Sequence, residues 1–280
     1  MVLLSGREVA EKIKDQLKNR VEQMAKSGRT PGLVIVQVGE DAASSVYVRN
    51  KAKSCDYVGI EHETINLPVD TTQKELIDII DCLNESNING ILVQLPLPKH
   101  ISERAVLDRI DVAKDVDGFH VENAGRLILG NECTTPCTPA GIIRILDYYG
   151  IEIAGKECVV VGRSNIVGKP MAAMLLQRNG TVTICHSKTQ NLTEVCRRAD
   201  ILICAVGKPR FFNREYIKPG AVVIDVGIHR LEDGIICGDV DFDDVKDIVS
   251  AITPVPGGVG VTTVAMLMEN CVKVSENGGA

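Results

Sequence analysis

Short apolar runs alternate along this chain with longer segments in which apolar residues recur every three or four positions. The apolar runs cover residues 33–38, 60–67, 91–95, 159–161, 182–185, 201–206 and 221–226. Runs of this length that are rich in β-branched residues predict strands, and helical spacing predicts helices between them. Because strands that alternate with helices form parallel sheets, the pattern predicts an α/β protein with two such units, the second doubly wound.

The predicted helices have recognisable starts. Ser5-x-x-Glu8 and Thr72-x-x-Glu75 both have the form of a capping box, and each precedes apolar residues at helical spacing. Further helices are predicted over residues 44–57, 102–110, 138–149, 165–179, 192–198 and 262–274.

Three stretches lie outside this alternation. Residues 115–139 are rich in Asp, Gly, Asn, Thr and Pro, which predicts loops near a site and a domain boundary close behind. Residues 253–260 combine two prolines with three glycines and predict a loop before the last helix. We expect the residues from Ser275 onward to be frayed.

Composition narrows the class of protein. The 280 residues carry 31 basic and 37 acidic side chains, so no broad phosphate-binding surface is indicated and nucleic acid is not an expected partner. No apolar run approaches the roughly 18 residues of a membrane helix, so we expect a soluble, cytoplasmic protein without a membrane partner. Of the ten cysteines, Cys158, Cys185, Cys204 and Cys237 lie in or beside apolar runs, where thiols act as small hydrophobes. Cys133 and Cys137 have no partner pair at zinc-ligand spacing, so no metal is predicted.

A glycine turn follows the strand at 159–161. A strand that leads into a glycine turn and a helix presents backbone N–H groups to a phosphate, but Gly162 and Gly168 depart from the G-x-G-x-x-G spacing. The turn alone therefore leaves a nucleotide site and a plain connection equally open. The next strand ends in Cys185-His186-Ser187-Lys188, without the carboxylate that an NAD site places there. With Arg163 in the turn, this favours NADP over the alternative of solvated surface cations.

A second group of polar residues occurs in the first half. Tyr47 and Lys51 are four apart and share one face of a predicted helix. Gln94 ends an otherwise apolar strand, and Asp115 and Asp117 follow in a loop. The carboxyl ends of parallel strands are where α/β sheets bind ligands, and a lysine in a partly dry site can serve as an acid/base. Taken singly, each residue is better explained as a half-buried aromatic, a surface cation, a strand-end cap or a turn former, and only their combination favours a site.

Eight segments together resemble the bifunctional methylenetetrahydrofolate dehydrogenase/cyclohydrolase family, in the family's order and over almost the full chain. They are Ser44-x-x-Tyr47-Val48-x-x-Lys51, Leu92-Val93-Gln94-Leu95-Pro96-Leu97-Pro98, Lys114-Asp115-Val116-Asp117-Gly118-Phe119, Asn123-Ala124-Gly125-Arg126-Leu127, Pro136-Cys137-Thr138-Pro139, Val161-Gly162-Arg163-Ser164-x-x-Val167-Gly168-x-Pro170, Cys185-His186-Ser187-Lys188-Thr189 and Thr253-Pro254-Val255-Pro256-Gly257-Gly258-Val259-Gly260.

The resemblance implies a homodimer whose protomer has two α/β domains with a cleft between them. Residues 1–138 and the helix 262–280 would form the folate domain, and residues 139–261 a Rossmann-type NADP domain. The implied reactions are NADP-dependent oxidation of 5,10-methylenetetrahydrofolate to the methenyl form and hydrolysis of that product to 10-formyltetrahydrofolate.

The resemblance also implies roles for individual residues. Lys51 would be the acid/base, Gln94 would orient it, Asp117 would hold the pterin ring and Tyr47 would stack on the substrate. The implied substrate-binding residues are these four with Leu95, Pro96, Pro256, Gly257 and Gly258. The implied NADP-binding residues are Gly162, Arg163, Ser164, Val167, Gly168, His186, Ser187 and Ile228.

One segment departs from the family pattern. Many members carry Pro-Met-Thr where this chain has Val261-Thr262-Thr263, and loss of the proline is expected to loosen the loop there. A member in which only one activity is strong therefore stays open. From another class, a folate- or nucleotide-binding module without turnover stays open too, although its simplest signature would be loss of Lys51, which is present.

Overall fold

A computed structural model describes residues 1–39 and 42–277, with the side chains of 42–46 left out of the description. The chain divides into two compact units, one formed by residues 1–10 and 136–263 and the other by residues 11–135 and 264–280. We call them the first and the second unit. Both are α/β, which confirms the predicted fold class.

The helices and strands follow one another in an order close to that expected from the pattern. In chain order they are β1 (Val2–Leu3), α1 (Gly6–Lys26), β2 (Gly32–Val38), α2 (Ala42–Val58), β3 (Glu61–Leu67), α3 (Gln73–Glu85), β4 (Gly90–Val93), α4 (Glu103–Leu107), α5 (Val121–Leu129), α6 (Cys137–Tyr148), β5 (Glu157–Val161), α7 (Gly168–Gln177), β6 (Thr181–Cys185), α8 (Leu192–Cys196), β7 (Ile201–Cys204), a 3-10 helix (Arg214–Tyr216), β8 (Val222–Asp225), β9 (His229–Arg230), β10 (Ile236–Cys237), α9 (Phe242–Val245), β11 (Ala251–Ile252) and α10 (Val259–Asn277).

The second unit is built on a parallel three-stranded sheet in the order β3-β2-β4. Every residue of β2 and of β4 is buried, as expected of strands covered by helices on both faces. Val34, Val36, Ile91 and Val93 pack with Leu76 of α3 in its core. The sheet therefore presents the carboxyl ends of β2 and β4 side by side.

The first unit is built on a parallel six-stranded sheet in the order β1-β11-β8-β7-β5-β6. The chain leaves β5 for β6 on one side and returns to β7 on the other, so the strand order reverses at β5. Open α/β sheets bind ligands at the carboxyl end of such a strand, and here β5 ends at Val161, directly before Gly162.

Both chain ends differ from the sequence-based expectation. The first residues were assigned with the folate domain, but Val2 and Leu3 pair with Ala251 and Ile252, so residues 1–10 group with the first unit. Fraying from Ser275 is wrong for residues 275–277, because Ser275 is buried inside α10. Residues 278–280 lie outside the described residues.

Two helices also differ from prediction. The stretch 115–139 was predicted as loops, but it contains α5, where Gly130 caps the end in the left-handed conformation. Glu122 and Arg126 lie one helical turn apart and form an ion pair. This pair stabilises α5 although the helix contains Gly125, a residue that disfavours helix. The helix predicted from residue 165 begins only at Gly168, because residues 162–167 form the turn.

Other findings concern the chain as a whole. All ten cysteines are free thiols, and eight of them are buried. Among the helices of residues 1–39 and 42–277, none is long and apolar enough to cross a bilayer.

Candidate functional site

Lys51 and Gln94 meet in the second unit. Lys51 lies on α2, and Gln94 follows β4, one residue beyond its end. The Lys51 Nζ donates a hydrogen bond of 2.9 Å to the Gln94 Oε1. The Gln94 Nε2 donates at 2.7 Å to the carbonyl of Leu95, which fixes which end of the amide faces the lysine. The two side chains, 43 positions apart in sequence, thus form one polar pair at the carboxyl end of the sheet.

The loop that carries Asp117 is fixed by a buried carboxylate two residues earlier. Asp115 is 2 % exposed and accepts hydrogen bonds from the backbone N–H groups of Gly118 and His120 and from the Asn123 amide. On the other side, the Asn270 amide donates to the carbonyls of Val116 and Thr135. These bonds determine where the half-buried Asp117 emerges.

The charges of Lys51 and Asp117 both act on one buried thiol, that of Cys271. Burial raises the pKa of Cys271 well above its usual range, Cys55 and Asp117 raise it further, and Lys51 lowers it. A charge perturbs a pKa strongly only at short range. The Cys55 thiol also lies 3.6 Å from the Met268 sulfur. Lys51 and Asp117 therefore both lie near the buried Cys271 thiol.

The remaining predicted residues of this unit lie on the same elements. Tyr47 is one helical turn before Lys51 and is half-buried, and burial raises the pKa of its hydroxyl. Leu95 is half-buried and Pro96 is exposed, and the peptide bond between them is cis. A lysine and an amide thus meet at one sheet edge, and a carboxylate and an aromatic ring lie on neighbouring segments of the same unit, a set that can hold a heterocycle and move protons.

In the first unit, both glycines of the turn after β5 are required by close packing. A Cβ on Gly162 would overlap the carbonyl oxygen of Ala205, and one on Gly168 would overlap the carbonyl oxygen of Gly162. Gly162 also has a φ of +144°. The two widely spaced glycines therefore belong to a turn whose ends pack on each other and on the residue after β7.

The other residues of the turn surround the start of α7. The Ser164 Oγ accepts from the backbone N–H groups of Val167 and Gly168 at 3.1 and 3.3 Å, so it caps the helix. Arg163 and Ser164 are exposed, and Val167 is half-buried. An exposed arginine beside a helix amino terminus is a setting that attracts phosphate.

The end of β6 joins this turn. The Gly162 N–H donates to the Cys185 carbonyl, and the next residues form a tight turn in which the Lys188 N–H donates to the His186 Nδ1. Ser187 and Lys188 are exposed there. The predicted residue Ile228 follows β8 and is 49 % exposed. No carboxylate lies between Cys185 and Thr189, so hydroxyl, imidazole and ammonium groups stand where a ribose 2′-substituent would be read.

The segment before α10 belongs to the first unit. Pro256 is exposed, while Gly258 is buried and its Cβ would overlap the Pro254 carbonyl oxygen. Loosening at Val261-Thr262 is not what the structure has: α10 begins at Val259. The hydroxyls of Thr262 and Thr263 both donate to the Val259 carbonyl, which ties the first turn without a proline.

Two domain models of one family together match most of the chain. Residues 4–117 match the tetrahydrofolate dehydrogenase/cyclohydrolase catalytic domain, and residues 136–278 match the NAD(P)-binding domain of the same family. The chain belongs to this tetrahydrofolate dehydrogenase/cyclohydrolase family. It is therefore a bifunctional enzyme, with a dehydrogenase and a cyclohydrolase activity, and it carries an NAD(P)-binding domain. The predicted family and enzyme class are confirmed.

Similar proteins match this chain over almost its whole length and over almost the whole of their own. The bifunctional protein FolD of Lachnoclostridium phytofermentans is 58 % identical over 97 % of this chain and 96 % of its own. The bifunctional enzyme FolD of Campylobacter jejuni has a crystal structure that matches with a TM-score of 0.97 at 46 % identity, over 99 % of both chains. The Trypanosoma brucei dehydrogenase-cyclohydrolase, crystallised with NADP and an inhibitor, matches with a TM-score of 0.95 at 37 % identity, over 99 % of this chain and 98 % of its own.

Several residues that shape the site carried no clear signal in the sequence. Asn270 and Cys271 lie within an apolar helix far along the chain, and only the tertiary structure brings them to Asp117 and Lys51. Lys114 donates to three carbonyls at the end of α3, those of Leu83, Asn84 and Ser86. The only sign in the sequence that Lys114 matters for the site is its position directly before Asp115 and close to Asp117.

Proposed function

We propose that this enzyme oxidises 5,10-methylenetetrahydrofolate to the methenyl form with NADP and hydrolyses that product to 10-formyltetrahydrofolate. The observation that carries the proposal is the Lys51–Gln94 hydrogen bond of 2.9 Å at the carboxyl end of a parallel sheet. The folate site is assigned to the second unit and the NADP site to the first unit.

The acid/base chemistry falls to Lys51. Loss of hydride from the methylene carbon leaves a cation that is shared by N5 and N10. Water adds to that carbon while a base takes a proton from the water. The bond from this carbon to N5 then breaks as N5 takes up a proton, which leaves the formyl group on N10. The Lys51 Nζ is the base in this proposal, and the Gln94 amide holds it in place. Asp117 accepts hydrogen bonds from the pterin ring, and Tyr47 stacks on it. Leu95 and Pro96 complete the substrate contacts of this unit, and a substrate role for Pro256, Gly257 and Gly258 stays a prediction from the resemblance.

NADP, when bound, supplies the hydride acceptor. The residues assigned to hold it are the closed turn with Gly162, Arg163, Ser164, Val167 and Gly168, the strand end with His186 and Ser187, and Ile228. Two features of the turn suit a dinucleotide. Gly162 and Gly168 allow the backbone segments of the turn to pack closely together, and the amino terminus of α7 lies at the turn. The Arg163 guanidinium is assigned to the 2′-phosphate, for which a cation and hydroxyls are the appropriate partners.

Replacing Lys51 by Met tests the acid/base role. We expect Lys51→Met to lower the hydrolysis of methenyltetrahydrofolate by roughly 100-fold or more, since general base catalysis contributes about that much, while NADPH binding stays intact. The measurement is the methenyl absorbance decay, with an NADPH fluorescence titration alongside. Lys53→Met is the matched control, because Lys53 is an exposed lysine two positions along the same helix. Unchanged hydrolysis in Lys51→Met would refute the role.

Replacing Arg163 by Ala tests the cofactor choice. We expect the KM for NADP to rise about tenfold or more, since a charge-assisted phosphate contact is lost, while the KM for NAD changes little. The test compares both nucleotides in the methylene oxidation assay. Arg197→Ala removes an exposed arginine elsewhere in the same unit and serves as the control. An equal change for both nucleotides would mean that Arg163 does not read the 2′-phosphate.

The assembly and location are also proposals. We propose a homodimer in the cytoplasm with tetrahydrofolates as its small-molecule partners, without nucleic acid or membrane. Free cysteines throughout the chain fit a reducing compartment. Light scattering of the purified protein tests the dimer, and a monomer at micromolar concentration would contradict it.

A further inference from the structure

A second buried carboxylate lies in the first unit, outside the residues assigned so far. Asp239 is fully buried and follows the β9–β10 hairpin. Its two oxygens accept hydrogen bonds from the backbone N–H groups of Val206, Gly207 and Lys208, at 2.6, 3.0 and 2.9 Å. The His229 Nε2 lies 2.8 Å from the same carboxylate. Four polar hydrogens thus converge on one side chain.

The loop that Asp239 holds lies directly against the nucleotide turn. Residues 205–208 follow β7, the neighbour of β5 at the point where the strand order reverses. The Ala205 carbonyl is so close to Gly162 that no Cβ fits between them. A loop in this place forms one wall of whatever binds at the carboxyl end of β5.

The same carboxylate reaches a third segment. His229 directly follows the exposed Ile228, and Gly227 packs so tightly on Asp239 that a Cβ there would overlap its carboxylate. The Asp239 backbone is in turn held by Asp225, which accepts the Asp239 N–H at 2.8 Å. Asp239 therefore joins the ends of β7 and β8 through contacts that tolerate little displacement.

We propose that Asp239 is a positioning residue for the nicotinamide cofactor, which it serves by fixing the loop 205–208 against the Gly162 turn and tying it to the segment around Ile228. This inference rests on the proposed NADP site. Because methenyl hydrolysis consumes no cofactor, a defect confined to this loop should affect the dehydrogenase and spare the cyclohydrolase. Loss of the folded protein would lower both activities together.

The test is Asp239→Asn in the full-length enzyme. The amide keeps the shape but has one acceptor oxygen in place of two, so backbone donors lose their partner. We expect the KM for NADP and the dissociation constant for NADPH to rise about tenfold, the equivalent of one lost partner, with methenyl hydrolysis within about twofold of wild type. Asp200→Asn is the matched control, since Asp200 binds the Glu157 N–H just before β7 begins, at the opposite end of the sheet.

A second variant covers the case in which Asp239→Asn does not fold. His229→Ala removes only one of the four partners and changes a residue that is partly exposed, and we expect a smaller rise in the same two constants. Unchanged NADPH affinity in the variants that fold would overturn the inference, as would a parallel loss of both activities. If the wild-type enzyme itself bound no NADPH, the proposed cofactor site would fail, whatever Asp239 does.

Discussion

At the scale of single residues, glycine is required where the backbone approaches itself. Gly168 lies against the Gly162 carbonyl and 2.8 Å would separate its Cβ from the Arg163 nitrogen. All of these neighbours are backbone atoms, so no rotamer change relieves the overlap. The spacing of Gly162 and Gly168 departs from the usual dinucleotide fingerprint because the turn has a different shape. Each of these two glycines is required because a Cβ would overlap backbone atoms.

Gly168→Ala is expected to lower the free energy of unfolding by about 1–3 kcal/mol, the usual cost of inserting a methyl group where no space exists. It should also weaken NADPH binding, because the turn must open. Urea unfolding and a fluorescence titration measure the two effects.

Gly125→Ala is the matched control for that experiment. Gly125 is an exposed glycine inside α5 with nothing near its Cβ position, so alanine there should raise the free energy of unfolding by about 0.5–1 kcal/mol. Equal effects of the two substitutions would contradict the steric argument at Gly168.

At the scale of elements, α3 begins at a capping box and ends beside the loop that carries Asp117. The Thr72 Oγ1 accepts from the Glu75 N–H while the Glu75 carboxylate accepts from the Thr72 N–H, a complete capping box. At the other end, Lys114 donates to the Leu83, Asn84 and Ser86 carbonyls, and burial lowers the pKa of its ammonium group. Since Lys114 directly precedes Asp115, the end of α3 helps to place the loop that carries Asp117.

Thr72→Ala is expected to lower the free energy of unfolding by about 1 kcal/mol, the typical value of a lost side-chain cap. Lys74→Ala in the same helix removes an exposed ion pair with Asp78 and should cost less, because solvent screens it. Urea unfolding of both variants gives the comparison. A larger loss in Lys74→Ala than in Thr72→Ala would contradict the cap's role.

At the scale of the whole molecule, a buried acid couples stability to pH. Asp225 is 4 % exposed, and burial raises its pKa to about 7, despite three backbone N–H donors that act in the opposite direction. Its pKa in the unfolded chain is about 3.9, so the folded state binds the extra proton between these values. The stability that this proton provides is fully present below about pH 4 and is lost as pH rises through about 7.

Asp225→Asn should remove this dependence, because the amide does not titrate. We expect the advantage of wild type over the variant in unfolding free energy to shrink as pH rises from 5 to 7, by up to about 1.4 kcal/mol per pH unit. Urea unfolding at pH 5, 6 and 7 measures it. A difference that is constant over this range would show that Asp225 keeps one protonation state.

The sequence alone was sufficient for much of this architecture. The alternation of apolar runs predicted both parallel sheets, and Thr72-x-x-Glu75 predicted a capping box that the structure contains. Such signals are local, since a period of two or 3.6 and a cap within one turn depend only on near neighbours. Segment order and spacing also identified the family. The roles of Lys51, Gln94 and the nucleotide-binding residues stay predictions that the experiments above test.

Tertiary structure decided what local signals do not encode. It placed β1 beside β11, extended α10 past Ser275, and made a helix of residues 121–129 that composition had predicted as loop. It also showed that Asp239 and Asn270 hold the loops at Val206 and Val116 through hydrogen bonds to their backbone N–H or carbonyl groups. Such residues bond to backbone groups that are distant in sequence. Because every residue except proline carries the same backbone N–H and carbonyl groups, the sequence does not mark which of them is the partner. Only the folded chain reveals which carboxylate or amide it meets.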